Sequence, residues 1–192
     1  MLDVCAAPGS KTTLIGALAP HAMIVATDLH EHRLRILGEL AATQGCHSIH
    51  VAVADATGGL PFAPASFDRV LVDAPCSGTG TLRRNPEIRW RLNAQDVVQL
   101  AAKQSRILAR AAEMVRPGGR LWYSTCSLEV EENEAVAVDF IKEHPGFDQF
   151  RLPDMQIANG PGDLETATGA IRTWPHRHDV NGFFVIAFQR SA

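Results

Sequence analysis

Two cysteines stand where a thiol can do chemistry. Cys126 lies in Ser124-Thr-Cys126-Ser127 and Cys76 in Asp73-Ala-Pro-Cys76-Ser-Gly-Thr-Gly80, each just after a short apolar run. The acidic stretch after Ser127, with Glu129, Glu131 and Glu132, reads as the first turn of a helix over 128–143 capped by Ser127, with Val130, Ala137, Phe140 and Ile141 facing inward. A thiol at a helix N-terminus has its thiolate stabilised and attacks near neutral pH. The alternative is an inert, buried thiol. That reading fits Cys46, which follows a helix, and is preferred for Cys5 beneath its loop. Zinc held by Cys76, Cys126 and His176 or His178 would need ligand spacing that the chain lacks. The eight histidines otherwise read as solvated, His30 and His32 flanking a helix start.

A second constellation suits a nucleoside. Cys5, Ala6, Ala7, Pro8, Gly9, Ser10 and Lys11 form a small flexible loop opening onto a helix, where backbone N–H groups and the positive helix end can meet a ligand. The phosphate-loop pattern G-x-x-x-x-G-K-[ST] fails twice, since Cys5 and Ser10 stand at its glycine positions, and G-x-G-x-x-G is absent. Asp28, after the next apolar run, is placed to accept hydrogen bonds from ribose hydroxyls. It could instead cap the helix that starts near Glu31, and the two roles are compatible. Asp55 follows the third run in the same way.

These residues need a scaffold that gathers strand ends. Apolar runs at 2–5, 23–27, 49–53, 69–72, 120–123 and 183–188 alternate with helical patterns at 31–44, 94–115 and 128–143. Such alternation gives an α/β fold, a mostly parallel sheet with helices on both faces. Ligands bind beyond the carboxyl ends of such a sheet, which is where Cys5–Lys11, Asp28, Asp55, Asp73–Cys76 and Cys126 fall. Asn93 is the expected N-cap of the long helix, and Pro117-Gly118-Gly119 its expected stop. Residues 151–182, rich in Gly and Pro, read as one long loop. The 192 residues make one domain, 1–192, whose first strand starts at residue 1, so an upstream portion is expected to be missing.

Composition narrows the partners. The net charge of −3 offers no global attraction for a polyanion, so nucleic acid would need a local patch. Arg83, Arg84, Arg89 and Arg91 surround Trp90 and supply phosphate contacts beside a stacking surface. The alternative has Trp90 packed in the core. No run is long enough to span a membrane, no signal peptide opens the chain, and four cysteines lack a disulfide pattern. The expected location is cytoplasmic, with no membrane and no metal partner.

The segments DVCAAPGSKT, DAPCSGTG and YSTCS, in this order, resemble the motifs of the RNA cytosine-5 methyltransferase family (NOL1/NOP2/Sun). Thr81 to Arg91 is similar to the bacterial Sun/RsmB-type branch, which methylates 16S ribosomal RNA, and Asn181-Gly-Phe-Phe184 to the family's last strand. Ser10 departs from the glycine of many members. The resemblance implies a Rossmann-like, seven-stranded-type methyltransferase fold and S-adenosylmethionine as cofactor. It implies Cys5 to Lys11, Asp28, Asp55 and Asp73 as cofactor-binding residues. Cys126 would be the nucleophile on C6 of an unpaired or flipped cytosine, Cys76 would assist release and Asp73 would act on N3. It also implies an upstream RNA-binding domain, which these residues are expected to lack. A non-catalytic RNA-binding factor and a methyltransferase with another substrate are the competing functions.

Overall fold

The computed structural model describes residues 1–151, 164, 166 and 168–192. Fourteen main elements run in chain order: β1 (Leu2–Val4), α1 (Ser10–Leu18), β2 (Ile24–Asp28), α2 (Glu31–Thr43), β3 (Ile49–Val53), β4 (Phe67–Asp73), α3 (Ile88–Arg91), α4 (Ala94–Met114), β5 (Val115–Thr125), α5 (Glu134–Glu143), β6 (Phe147–Phe150), β7 (Ile171–Thr173), α6 (Pro175–His178) and β8 (Phe183–Arg190). The sheet order is β3-β2-β1-β4-β5-β8-β6, with β7 also on β8. β3, β2, β1, β4 and β5 are parallel, and β8 runs antiparallel to β5, β6 and β7. β6 and β7 share one edge of β8, pairing with opposite ends of it.

Register assigns the two faces. Leu2 lies between Val25 and Val70, and Val70 opposite Leu121, so these side chains share one face. There Leu2, Val4, Val70, Val72, Leu121 and Tyr123 pack with Ile107 and Leu108 of α4 and with Val136 and Phe140 of α5. Asp3 and Ala26 point to the other face, where Ala26 packs with Ala6 and with Leu34 and Leu37 of α2. Burying side chains of this size contributes about 1.5–3 kcal/mol each before entropy is counted. Helices on both faces of a mostly parallel sheet are thus present as expected. β3 departs from the expectation of double coverage: it is an edge strand, with Val51 and Val53 about half exposed.

Several boundaries differ from the sequence reading. α4 has its expected cap, Asn93 Oδ1 accepting from the Asp96 N–H (3.1 Å) and Asp96 Oδ2 from the Asn93 N–H (3.0 Å). It ends at Met114, because Val115 is already extended (φ −75°, ψ 126°) and pairs with Phe67. Pro117-Gly118-Gly119 does not stop the helix but bulges inside β5: the pairing jumps from Phe67–Val115 to Arg69–Arg120, Pro117 having no N–H to give and Gly118 adopting φ +72°. The helix expected over 128–143 is only Glu134–Glu143. Residues 127–133 form a loop held by side chains, Asn133 Nδ2 donating to the Ser127 carbonyl and the Thr125 hydroxyl to Asn133 Oδ1, and Val130 is exposed rather than inward. The expected loop at 151–182 contains β7 and α6; its residues 152–163, 165 and 167 lie outside the described residues.

Asp3 is the one carboxylate buried within β1. Its Oδ2 accepts the Thr12 hydroxyl at 2.7 Å and its Oδ1 has no partner among the described residues. Burial pushes its carboxyl up to about 7 from the ordinary 3.8. Between those values the unfolded chain has lost the proton that the folded one keeps, so rising pH destabilises the fold until about 7. Asp3→Asn is expected to stabilise the protein at pH 8 by up to about 4 kcal/mol and to lose that gain as pH falls to 4. Urea unfolding of both proteins at the two pH values measures this; an equal difference at both would contradict it.

Candidate active site

The carboxyl ends of five strands meet around a cleft of about 270 Å³. Cys5 follows β1, Asp28 ends β2, Asp55 lies two residues past β3, Asp73 ends β4 and Cys126 follows β5. All five line the cleft, with Ala7 and Cys76. Of the remaining loop residues, Ala6 is buried and its N–H donates to the Thr27 carbonyl (2.7 Å), while Pro8 and Ser10 are exposed and Gly9 is buried. These four and Lys11 do not line it. Gly9 takes φ +109° at the start of α1, and a Cβ there would strike Leu37, so both conformation and space demand glycine.

Lys11 turns from its own loop to another strand end. Its Nζ donates to Asp73 Oδ2 at 2.6 Å, and the Ser124 hydroxyl donates to Asp73 Oδ1 at 2.8 Å. Asp73 is thereby tied to both the first loop and β5. Asp28 is buried, and its Oδ1 accepts from the His30 N–H (3.0 Å) while Arg33 lies 3.7 Å from Oδ2. His30, not Asp28, stands at the N-cap of α2. Arg33 also donates to the Ala7 carbonyl, joining α2 to the loop. Asp55 is exposed and holds the Thr57 N–H and hydroxyl, which lower its carboxyl from the usual value.

The sulfurs of Cys76 and Cys126 are 3.2 Å apart, and the Cys126 N–H donates to Cys76 Sγ (3.3 Å). The hydrogen bond from the Cys76 thiol lowers Cys126 from the ordinary thiol value, against desolvation and the Asp73 charge. The same bond, with burial, raises Cys76. A helix N-terminus is not the cause, since α5 begins eight residues beyond Cys126. Cys5, at φ +69°, is pushed up to about 12 by burial, with the nearby Asp28 charge adding to the effect. Its thiol is therefore a poor nucleophile. Cys46 is buried and donates to the Thr13 carbonyl (3.6 Å), in keeping with a packing role.

Residues that sequence reasoning passed over complete the site. Lys103 and Ile107 of α4 line the cleft with Ala54, Pro75, Leu29 and Arg33. Lys103 and Ile107 are four apart on one helix, but composition alone gives no sign that this face meets the cleft. Glu132 and Gln104 were also missed; both are fully buried behind the cysteine loops.

Trp90 is 83% exposed, so it is not a core residue, and Arg84, Arg89 and Arg91 are exposed beside it. Arg83 pairs with Asp179. Ile88, in the same short helix α3, sits so close to Gly78 that a Cβ there would come within 3.1 Å of its Cδ1. The basic segment therefore adjoins the Cys76 loop. Against the expectation of solvated histidines, His178 is buried, its Nδ1 accepting the Trp174 N–H (2.8 Å). Among the described residues no three His, Cys, Asp or Glu gather as a metal would require, and no helix is long and apolar enough to cross a membrane.

Residues 1–189 match the family model described as 16S rRNA methyltransferase RsmB/F. A Bacillus subtilis protein named probable ribosomal RNA small subunit methyltransferase B is 36% identical over 99% of this chain and 43% of its own length. The Yersinia pseudotuberculosis ribosomal RNA small subunit methyltransferase B is 37% identical over 96% of this chain and 40% of its own. The chain thus spans less than half the length of these relatives. The crystal structure of NSun6 from Pyrococcus horikoshii with SFG superposes with a TM-score of 0.84 at 29% identity, covering 100% of this chain and 47% of that one. The fold is the Rossmann-like methyltransferase fold.

Gly80 marks how tightly the site is closed. Its N–H donates to the Cys126 carbonyl (2.9 Å) and its carbonyl accepts the Gly182 N–H (2.8 Å). A Cβ there would collide with the carbonyl oxygens of Cys126 and Gly182. Gly80→Ala is expected to cost about 3 kcal/mol in urea unfolding. Gly38→Ala, on open space in α2, should instead gain about 1 kcal/mol. Equal effects of the two changes would contradict this packing.

Proposed function

This chain belongs to the 16S rRNA methyltransferase RsmB/F family, and we propose that it methylates C5 of a cytosine in RNA, 16S ribosomal RNA before others, with Cys126 as nucleophile. The observation that carries this reading is the pair of free thiols 3.2 Å apart at the sheet's carboxyl end, beside Asp73. We take residues 1–192 as the catalytic domain.

The cleft's donor set fits S-adenosylmethionine. Asp28 and Asp55 offer acceptors for ribose hydroxyls and an exocyclic amine, Ile107, Pro75 and Ala54 offer apolar wall for a ring, and Asp73 offers negative charge near a cation. Cys5 to Lys11 would shape the remaining wall, with Lys11 engaged through Asp73. Bound there, the cofactor supplies an electrophilic methyl group.

Cytosine C5 is a poor nucleophile until the ring's conjugation is broken. The Cys126 thiolate adds to C6, forming a carbon–sulfur bond and pushing electron density to C5 and N3. As charge develops at N3, Asp73, held by Lys11 Nζ at 2.6 Å, hydrogen-bonds it and passes on a proton from the Lys11 ammonium. Once C5 carries the methyl group, a base removes the C5 proton, the C5–C6 double bond reforms, Cys126 leaves as thiolate and N3 returns its proton to Asp73. Cys76, in contact with the departing sulfur, assists that release. The base must be unpaired or flipped to reach the thiol. Arg83, Arg84, Arg89 and Arg91 would contact phosphates, with Trp90 as a stacking surface.

With radiolabelled S-adenosylmethionine and unmethylated ribosomal RNA, Cys126→Ala is expected to lower transfer by more than about 1000-fold. Undiminished transfer would remove Cys126 from the mechanism, and no transfer by folded, cofactor-binding protein would remove the enzymatic reading for this chain. Cys76→Ala should accumulate a covalent RNA adduct, seen as a shifted band on a denaturing gel; free RNA throughout turnover would contradict its role. Because the thiolate is the reactant and Cys126 is lowered, kcat/KM should rise with pH and level off below about 8.5, the ordinary thiol value. A rise continuing past it would contradict the lowered thiol.

A further inference from the structure

Glu132 is fully buried, yet nothing in the proposed chemistry uses it. Its Oε1 accepts from the Ser77 N–H (2.9 Å) and from Gln104 Nε2 (2.8 Å). Its Oε2 accepts from the hydroxyls of Ser77 and Ser127. Ser77 directly follows Cys76, Ser127 directly follows Cys126, and their hydroxyls are 3.0 Å apart. Gln104 also donates to the carbonyl of Pro75, the residue before Cys76 (3.0 Å), and Tyr123 of β5 donates to the Glu132 carbonyl (2.6 Å). A buried carboxylate is costly, and an apolar pair would serve stability at least as well. What four donors on one carboxylate do secure is direction. Each of the two cysteine loops is gripped one residue past its sulfur by the same carboxylate, Ser77 through both oxygens and Ser127 through Oε2.

We propose that Glu132 is a positioning residue, which by holding Ser77 and Ser127 sets the Cys76–Cys126 sulfur contact and with it the readiness of Cys126 to react. The inference rests on Cys126 as the reactive thiol, but its geometry can be tested without RNA. Hydrogen bonding, rather than charge, is the means. In Glu132→Gln the amide oxygen still accepts from Ser77 and Gln104, and its two N–H groups reach the two serine hydroxyls, which can accept. In Ser77→Ala/Ser127→Ala two of the four bonds are gone while the carboxylate keeps the other two.

The experiment follows alkylation of Cys126 by iodoacetamide across pH, read by peptide mass spectrometry, with affinity for S-adenosylmethionine measured by calorimetry. In the wild type the midpoint for Cys126 should lie below that of an ordinary thiol. The double serine variant should raise it, slowing alkylation at pH 7 by about tenfold, while cofactor affinity stays within about twofold. Glu132→Gln should stay within about twofold of wild type at pH 7. Glu132→Ala should behave as the serine variant, which carries the test where the alanine protein does not fold. A merely structural role would raise alkylation of Cys5 and Cys46 and leave the Cys126 midpoint in place, which would overturn the proposal. So would a wild-type Cys126 with an ordinary midpoint. Intact profiles without any methyl transfer by the wild type would instead count against the proposed function alone.

Discussion

Val72 pairs with Tyr123 and Asp73 with Ser124, and the meeting of Asp73, Cys76 and Cys126 follows from that register of β4 on β5. Strands of a parallel sheet end side by side, so the loops leaving β4 and β5 emerge as neighbours although fifty residues separate Cys76 from Cys126. A shift by one residue would turn Tyr123 out of the core and withdraw Ser124 from Asp73. Tyr123 is the largest fully buried side chain among the described residues, and its hydroxyl reaches the Glu132 carbonyl, so the apolar core and the polar scaffold behind the cysteines share one anchor.

Beyond the register, side chains lock the loops to one another. Lys11 and Ser124 hold Asp73 between the first loop and β5. Glu132 holds Ser77 and Ser127, and Thr79 receives the Leu128 N–H. Gly80 stacks its backbone between those of Cys126 and Gly182. Polar groups this deep are stable only when satisfied, which gives the arrangement its rigidity. The cost of an unsatisfied group is visible at Asp3, whose Oδ1, without a partner among the described residues, accompanies a carboxyl raised to about 7.

Three cysteines at the cleft illustrate how surroundings, not residue type, set reactivity. Cys5 is raised by burial and by the Asp28 charge, Cys76 by its hydrogen bond to Cys126 and by burial, and Cys126 is lowered by that same bond. The dipole of a following helix, the reason first offered by the acidic stretch after Ser127, plays no part. Those acidic residues serve differently: Glu132 turns inward, while Glu131 stays exposed. An isolated run of glutamates looks the same in sequence in either case.

By itself the sequence determined the alternation of strands and helices, the cap at Asn93, and the strand-end placement of Cys5, Asp28, Asp55, Asp73, Cys76 and Cys126. These follow from local periodicity and turn residues, which act over a few positions. The three cysteine-bearing motifs were also sufficient to indicate the family. Only the tertiary structure decided what touches what. The Cys76–Cys126 contact, the reach of Lys11 to Asp73, the burial of Glu132, Gln104 and His178, and the exposure of Trp90 depend on strand register and on partners far away in sequence. Local propensity also misplaced the start of α5 and the role of Pro117-Gly118-Gly119. Hydrogen bonds from Glu132 to two loops outweigh the helix-forming preference of 128–133, and β4 pairing carries β5 through a proline–glycine turn that local signals read as a stop.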